Sequence, residues 1–237
     1  MEMRDYLTDA AKALQIMLTE EQLDRFDIYF RLLVEWNEKI NLTAITDPQG
    51  VAVKHFADSL SLLSKLDIPE NARVIDIGTG AGFPGIVLKI VRPDIELTLL
   101  DSLKKRFLFI NELLNELGLA AECIAGRAEE YGQDLEMREC FDLCVSRAVA
   151  RLNILSEYCL PFVRLSGKFV AFKGGGSDEE IQNSKKAIQT LGGKLIKIHS
   201  FELPFDGGAR KLVEIEKIRP TPDKYPRNNG RIKSKPL

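Results

Sequence analysis

Residues Arg73-Val-Ile-Asp-Ile-Gly-Thr-Gly-Ala-Gly-Phe-Pro-Gly85 decide the fold. Val74, Ile75 and Ile77 predict a buried strand that runs into a glycine-rich turn, with a helix opening near Pro84. Glycines take positive φ and let a backbone approach a ligand, and proline suits a first helical turn. Strand, glycine turn and helix together predict a nucleotide-type site at the carboxyl end of a parallel sheet.

Outward from this stretch, the chain divides into three parts. Residues 1–70 read as a helical cap, 71–218 as an alternating strand–helix domain, and 219–237 as a basic extended tail. In the cap, one helix is predicted from Met1 to about Leu18. Thr19-Glu-Glu-Gln22 is a capping-box start for a second, whose Leu23, Phe26, Phe30, Leu33, Trp36 and Ile40 recur at helical spacing. Asp47-Pro48 opens a third, on which Val51, His55, Leu62, Leu63 and Leu66 can face inward. His55 and Asp58 lie three apart on that helix, so a buried histidine satisfied by the carboxylate or by a backbone group is expected.

Beyond residue 73, strands are predicted at 74–77, 96–100, 122–125, 141–146 and 168–172. Helices are predicted at 85–91, 104–117, 153–162 and 177–191, and a closing antiparallel pair at 194–203 and 211–218. This alternation predicts an α/β fold: a mostly parallel seven-stranded sheet, Rossmann-like, wound on both faces, with a helical N-terminal extension.

The whole chain of 237 residues is 45% hydrophobic and 29% charged, ordinary for a globular protein. No apolar run approaches a membrane span, and Met1-Glu-Met-Arg4 has no signal-peptide pattern, so a cytoplasmic protein is expected. Cys123, Cys140, Cys144 and Cys159 lack paired spacing and sit among apolar neighbours, which predicts reduced core thiols. With only two histidines, His55 and His199, no metal site is expected. The net charge of −2 conceals an asymmetry. Six Lys/Arg stand against Asp223 alone between Arg219 and Leu237, leaving the tail at +5 and the rest at −7. Its four prolines predict an extended segment unable to bury a core, suited to a polyanion or to solubility alone.

The glycine turn formally contains Gly80-x-Gly82-x-x-Gly85, the dinucleotide spacing, but its register is wrong. The first glycine after the strand is Gly78, and counting from there puts Phe83 where the third glycine belongs. Asp76 would also repel a pyrophosphate, and suits a cationic ligand instead. Asp101, ending the second strand, can accept both hydroxyls of a ribose or cap the helix that follows. Glu129 reads by spacing as part of an acidic surface run with Glu130. Arg147, at the end of the fourth strand, reads as a ligand or phosphate contact or as a surface ion pair. That strand end carries no Asn/Asp-Pro-Pro-Tyr motif and no Pro-Cys nucleophile.

The pattern apolar-apolar-Asp-apolar-Gly-x-Gly-x-Gly resembles motif I of class I S-adenosylmethionine-dependent methyltransferases. The resemblance narrows at Asn41-Leu-Thr43, His55-Phe-Ala-Asp-Ser59, Asp76-Ile-Gly-Thr-Gly-Ala-Gly-Phe-Pro-Gly-Ile86, Leu99-Leu-Asp-Ser102, Ser146-Arg-Ala148 and Phe172-Lys-Gly174. With these segments the chain resembles the RsmG (GidB) family over nearly its full length. The resemblance implies methylation of the N7 of a guanine in 16S ribosomal RNA, with S-adenosyl-L-methionine as cofactor and ribosomal RNA or the small ribosomal subunit as partner. It also implies cofactor contacts at Gly78, Phe83, Ala128, Glu129 and Arg147, to which the glycine turn and second strand end add Gly80 and Asp101. Guanine N7 carries a lone pair and no proton, so no catalytic base is expected. Arg147, Lys173 and Arg210 are candidates for positioning the acceptor nucleotide. The cap and the tail are expected to touch RNA, and a monomer is expected. A nicotinamide-dependent oxidoreductase and a catalytically idle RNA-binding protein stay open as alternatives.

Overall fold

The computed structural model describes residues 1–237. Its centre is one seven-stranded sheet: β1 (Arg73–Ile77), β2 (Glu96–Asp101), β3 (Glu122–Ala125), β4 (Phe141–Arg147), β5 (Val163–Gly174), β6 (Gly193–Leu203) and β7 (Gly208–Lys217). The order is β3-β2-β1-β4-β5-β7-β6. β1 to β5 pair in parallel, and β7 runs antiparallel between β5 and β6. β1 lies mid-sheet where the winding reverses, so its carboxyl end opens onto the crevice that this topology leaves for a ligand.

Alternate strand residues feed two cores. Val74, Leu97, Leu99, Leu143, Val145 and Val170 face one, while Ile75, Ile77, Cys144, Phe169 and Val213 face the other. Burial on both faces explains why these strands read as continuous apolar runs. The first face is covered by α5 (Gly85–Val91), α6 (Arg106–Leu117) and the N-terminal cap, and the second by α8 (Leu152–Cys159) and α9 (Asp178–Thr190).

The cap holds α1 (Met3–Ala13) and α2 (Glu20–Ile40). α1 is shorter than predicted, because Gln15 turns left-handed at φ 62° and breaks it. α2 begins with the expected reciprocal capping box between Thr19 and Gln22 and ends at Asn41 in the left-handed conformation. The third cap helix opens at α3 (Pro48–Gly50), where Asp47 accepts the Gly50 N–H. It is not uniform: Val51–Ala57 is π-helical, α4 (Asp58–Leu60) resumes the ordinary pitch, and Ser61–Ser64 tightens to a 3₁₀ turn. Phe26, Tyr29, Leu33, Phe56 and Leu60 are fully buried here in the core that also holds Val74 and Leu99. All four cysteines are free thiols, Cys144 and Cys159 buried and the other two half-buried.

The tail departs from expectation. It does not run extended but folds across α8 and ends in α10 (Asn229–Ser234), with Ile232 fully buried and Tyr225 nearly so. Polar staples replace the apolar surface it lacks. Arg138 donates to the carbonyls of Thr221 and Tyr225, and Gln133 donates to those of Asp223 and Pro226. The Arg227 guanidinium pairs at 2.6 Å with Glu157, which is fully buried. A short helix between β3 and β4, α7 (Ala128–Tyr131), is a further addition to the predicted elements.

Candidate cofactor and acceptor site

The glycine turn is built from beneath by Asp76. This carboxylate is fully buried, and its Oδ2 accepts from Thr79 Oγ1 at 2.8 Å and from the Gly85 N–H at 2.9 Å. A β-carbon at position 85 would lie 2.9 Å from that oxygen, which explains the glycine. Asp76 Oδ1 is buried without a partner, and burial pushes the carboxyl up to about 6 against the pull of its two donors. Asp76 is thus inaccessible from outside and braces the turn from beneath.

Gly78, Gly80 and Gly82 all have positive φ. Their N–H groups are nonetheless spent inside the protein. Gly78 and Thr79 donate to Leu100 O, Gly80 to Asp101 Oδ2, and Gly82 and Phe83 to Thr79 O. A phosphate-binding turn needs these donors free. This one offers a ligand little beyond the Ala81 N–H.

Above the turn lies a trough of about 480 Å³. Gly78, Gly80, Phe83, Asp101, Ala128, Glu129 and Arg147 all line it. Asp101 is nearly inaccessible, and three of its roughly four acceptor positions are taken. Oδ1 caps the Leu103 N–H at 2.9 Å, while Oδ2 accepts from the Gly80 N–H and from Arg106 Nη1 at 2.7 Å. The capping role is therefore present, and the carboxylate keeps room for one new hydrogen bond rather than two. Glu129 is not a free surface residue, since its side chain is 9% exposed, against the trough and 3.7 Å from Arg127.

At the other end, Phe83 is stacked between Tyr29 and His55, with ring centroids 5.2 and 4.7 Å away, and the Arg147 guanidinium lies 4.9 Å from its centre. The Tyr29 hydroxyl, from the cap, donates to the Ala81 carbonyl of the turn. His55 does not pair with Asp58. Its Nε2 meets Thr43 Oγ1 at 2.8 Å and its Nδ1 faces Arg147 Nη2 at 3.4 Å. Because arginine can only donate, Nδ1 accepts and Nε2 carries the proton. Burial, with Arg147 adding to it, lowers this histidine to about 3, so it is neutral at working pH.

Asp58 instead holds two arginines. Its Oδ2 lies 3.0 Å from Arg147 Nη1, and its Oδ1 lies 3.3 Å from Arg210 Nε without hydrogen-bond alignment. Arg147 Nη1 also reaches the carbonyls of Lys54 and His55 within the π-helical segment. These residues line a second depression of about 360 Å³ that shares Arg147 with the trough and adds Lys54 and Lys173. Arg147, Lys173 and Arg210 are thus brought together from three strands. The Lys173 ammonium is largely committed, to Glu180 at 2.6 Å and to the Ala150 carbonyl at 2.7 Å. No three or more His, Cys, Asp or Glu side chains converge to hold a metal ion.

Residues 22–213 match the family GidB, described as rRNA small subunit methyltransferase G. The chain belongs to that family. Over 232 residues it is 53% identical to the ribosomal RNA small subunit methyltransferase G of Desulforamulus reducens, spanning 98% of this chain and 97% of that one. The enzyme of the same name from Alkaliphilus metalliredigens is 49% identical over the full length of both chains. Among solved structures, a methyltransferase from Pyrococcus furiosus superposes with a TM-score of 0.57 at 13% identity, over 83% of this chain and 99% of that chain. TYW2 of M. jannaschii, in complex with AdoMet, gives 0.51 at 14%, over 87% and 80%. At such identities the superpositions establish the fold alone, that of a class I methyltransferase.

For this member of the methyltransferase G family, sequence reasoning misses several trough residues. Leu42 and Thr43 reach it because Asn37 Oδ1 gathers both of their N–H groups into a tight loop. Asn41-Leu-Thr43 is the available signal. Tyr158, Asn229 and Lys233 also line it, and they carry no signal, because the tail composition predicts a segment that runs free.

Proposed function

We propose that this chain transfers the methyl group of S-adenosyl-L-methionine to the N7 of a guanine in 16S ribosomal RNA, acting as a monomer in the cytoplasm. The observation that carries the reading is the continuity of trough and cationic depression through His55, Arg147 and Ala148. No helix is long and apolar enough to cross a membrane.

The trough suits a cationic, phosphate-free cofactor. Its turn has few N–H groups to offer a phosphate, and the Asp101 and Glu129 carboxylates line its walls, Asp101 paired with Arg106 and Glu129 beside Arg127. Asp101 would take a ribose hydroxyl through its remaining acceptor position, and Ala128 and Glu129 would flank the adenine. Gly78, Gly80 and the Phe83 ring would border the methionine half, near Arg147. Bound there, S-adenosylmethionine supplies a methyl group already activated on a positively charged sulfur.

The protein then has only to place the acceptor. Guanine N7 attacks with a ring lone pair and releases no proton, so a base is unnecessary. His55, neutral and occupied on both nitrogens, is not poised as one. Arg147, hydrogen-bonded to Asp58, and Arg210, within ion-pair distance of it, would meet a backbone phosphate or the guanine edge, with Lys54 beside them. Lys173 fastens the chain after β4 through Ala150 and Glu180.

The test is incubation with radiolabelled S-adenosylmethionine and either small subunits or naked 16S RNA, followed by borohydride–aniline cleavage, which cuts at N7-methylguanine. Incorporation with a single cleavage is expected. Label without cleavage would refute the N7 assignment, and no label on either substrate would refute the activity. Arg210→Ala should lower transfer roughly a hundredfold while leaving cofactor affinity within a few-fold.

A further inference from the structure

One wall of the trough comes from outside the strand ends. Tyr158 of α8 and Asn229 and Lys233 of α10 close it on the Glu129 side. α10 lies beyond residue 213, where the family match stops. Its place is nevertheless built. Ile232 is fully buried beneath it, Arg227 is locked on the buried Glu157, and Asn153 Nδ2 holds the Leu237 carbonyl at 3.3 Å.

The Tyr158 hydroxyl, itself nearly buried, donates to Asn229 Oδ1 at 2.7 Å. That bond fixes the amide. Nδ2, with two N–H donors, then has no acceptor in the protein, and the side chain borders both the trough and an adjoining groove with Arg127 and Glu129. Lys233, one helical turn on, makes no ion pair.

The trough has a polarity. Its Arg147 end opens onto the acceptor depression, so the methyl donor's sulfur belongs there and the adenosine half belongs at the opposite end. That opposite end is the one α10 closes. We propose that Asn229, oriented by Tyr158, is a cofactor-binding residue that donates from Nδ2 to a ring nitrogen of the adenine, with Lys233 closing the mouth over it. The inference rests on the methyltransferase reading and adds that the C-terminal segment is part of the cofactor site.

Asn229→Asp is the decisive variant. It keeps the oxygen that Tyr158 needs and replaces the donor with an acceptor that repels a purine ring nitrogen. Titration of the full-length protein with S-adenosylhomocysteine should show roughly tenfold weaker binding, with the thermal midpoint unchanged. In turnover, KM for S-adenosylmethionine should rise while kcat and KM for RNA stay put. Tyr158→Phe should give a smaller loss of the same kind, and Lys233→Ala, at an exposed position, a loss of a few-fold. Wild-type affinity in Asn229→Asp, or in both Asn229→Ala and Lys233→Ala should the aspartate variant fail to fold, overturns the inference and leaves the methyltransferase reading intact. Failure of the wild type to bind S-adenosylhomocysteine would overturn the reading itself.

Discussion

The cap and the tail reach the same trough from opposite faces of the sheet, by opposite means. The cap arrives as part of the core. Phe26, Tyr29 and Phe56 pack at tilted angles in a continuous apolar mass that runs through Phe83 to the sheet. Polar contacts such as Tyr29 to Ala81 and Asp58 to Arg147 are added to that mass. The tail arrives as a polar strap. Besides Tyr225 and Ile232, it is held by guanidinium and amide groups on backbone carbonyls, by the hydroxyls of Thr221 and Tyr158, and by one buried ion pair. Apolar attachment is tolerant and non-directional, whereas polar attachment is directional and fails sharply when one partner is removed.

Four measurements bear on that contrast, in descending size of effect. Phe26→Ala should cost about 4 kcal/mol in denaturant unfolding, because a fully buried ring packed against Phe56 leaves a cavity. A loss near 1 kcal/mol, on the same scale, would mean that the cap is not part of the core. Arg227→Ala should cost about 3 kcal/mol by stranding the buried Glu157 carboxylate. Adding Glu157→Gln should recover a large part of it, and no recovery would show that the strap is held by packing instead.

Between the two attachments, Asp76 supplies a reference. Its folded pKa of about 6 exceeds the ordinary 3.8, so the folded state holds the proton more tightly than the unfolded state does. Its contribution is therefore fully present below about pH 4 and is lost as pH rises through 6, by on the order of 2–3 kcal/mol. Asp76→Asn should remove that slope from a stability-versus-pH profile; an unchanged slope would place the titration elsewhere. Smallest in stability terms are Lys224→Gln, Arg231→Gln and Lys235→Gln together, all exposed. They should leave the unfolding midpoint in place yet flatten the salt dependence of RNA binding, by up to roughly one unit of slope for each phosphate no longer neutralised. An identical slope would mean that the tail serves the cofactor side alone.

The same contrast explains what is legible in the sequence. Strand positions follow from apolar runs, and Gly85–Val91 and Glu122–Ala125 lie where the pattern puts them. The capping box of Thr19 and the stop at Gly118 are local signals with local causes. The tail escapes such reading because its anchoring depends on where distant carbonyls lie, and proline-rich basic composition says nothing about that. Among candidate site residues, those on strand ends and the glycine turn can be placed by topology, and seven of them line one trough. The partnership of Asp58 with Arg147 and Arg210 cannot be. The π-helical segment before Asp58 redirects that helix, and an i,i+3 reading of His55 and Asp58 assumes an ordinary pitch.

The insertion of β7 between β5 and β6 has a consequence for the order of synthesis. The turn joining β6 to β7 folds back onto the start of the chain: Phe205 packs edge-on against Tyr6, and Leu203 shares a small core with Ala10, Leu14 and Val53. α1 therefore cannot meet all of its neighbours until nearly 200 further residues, counted from Tyr6 to Phe205, have been made. Until then the apolar face of α1 is incompletely covered, exposed surface of the kind that makes partly made chains prone to aggregate.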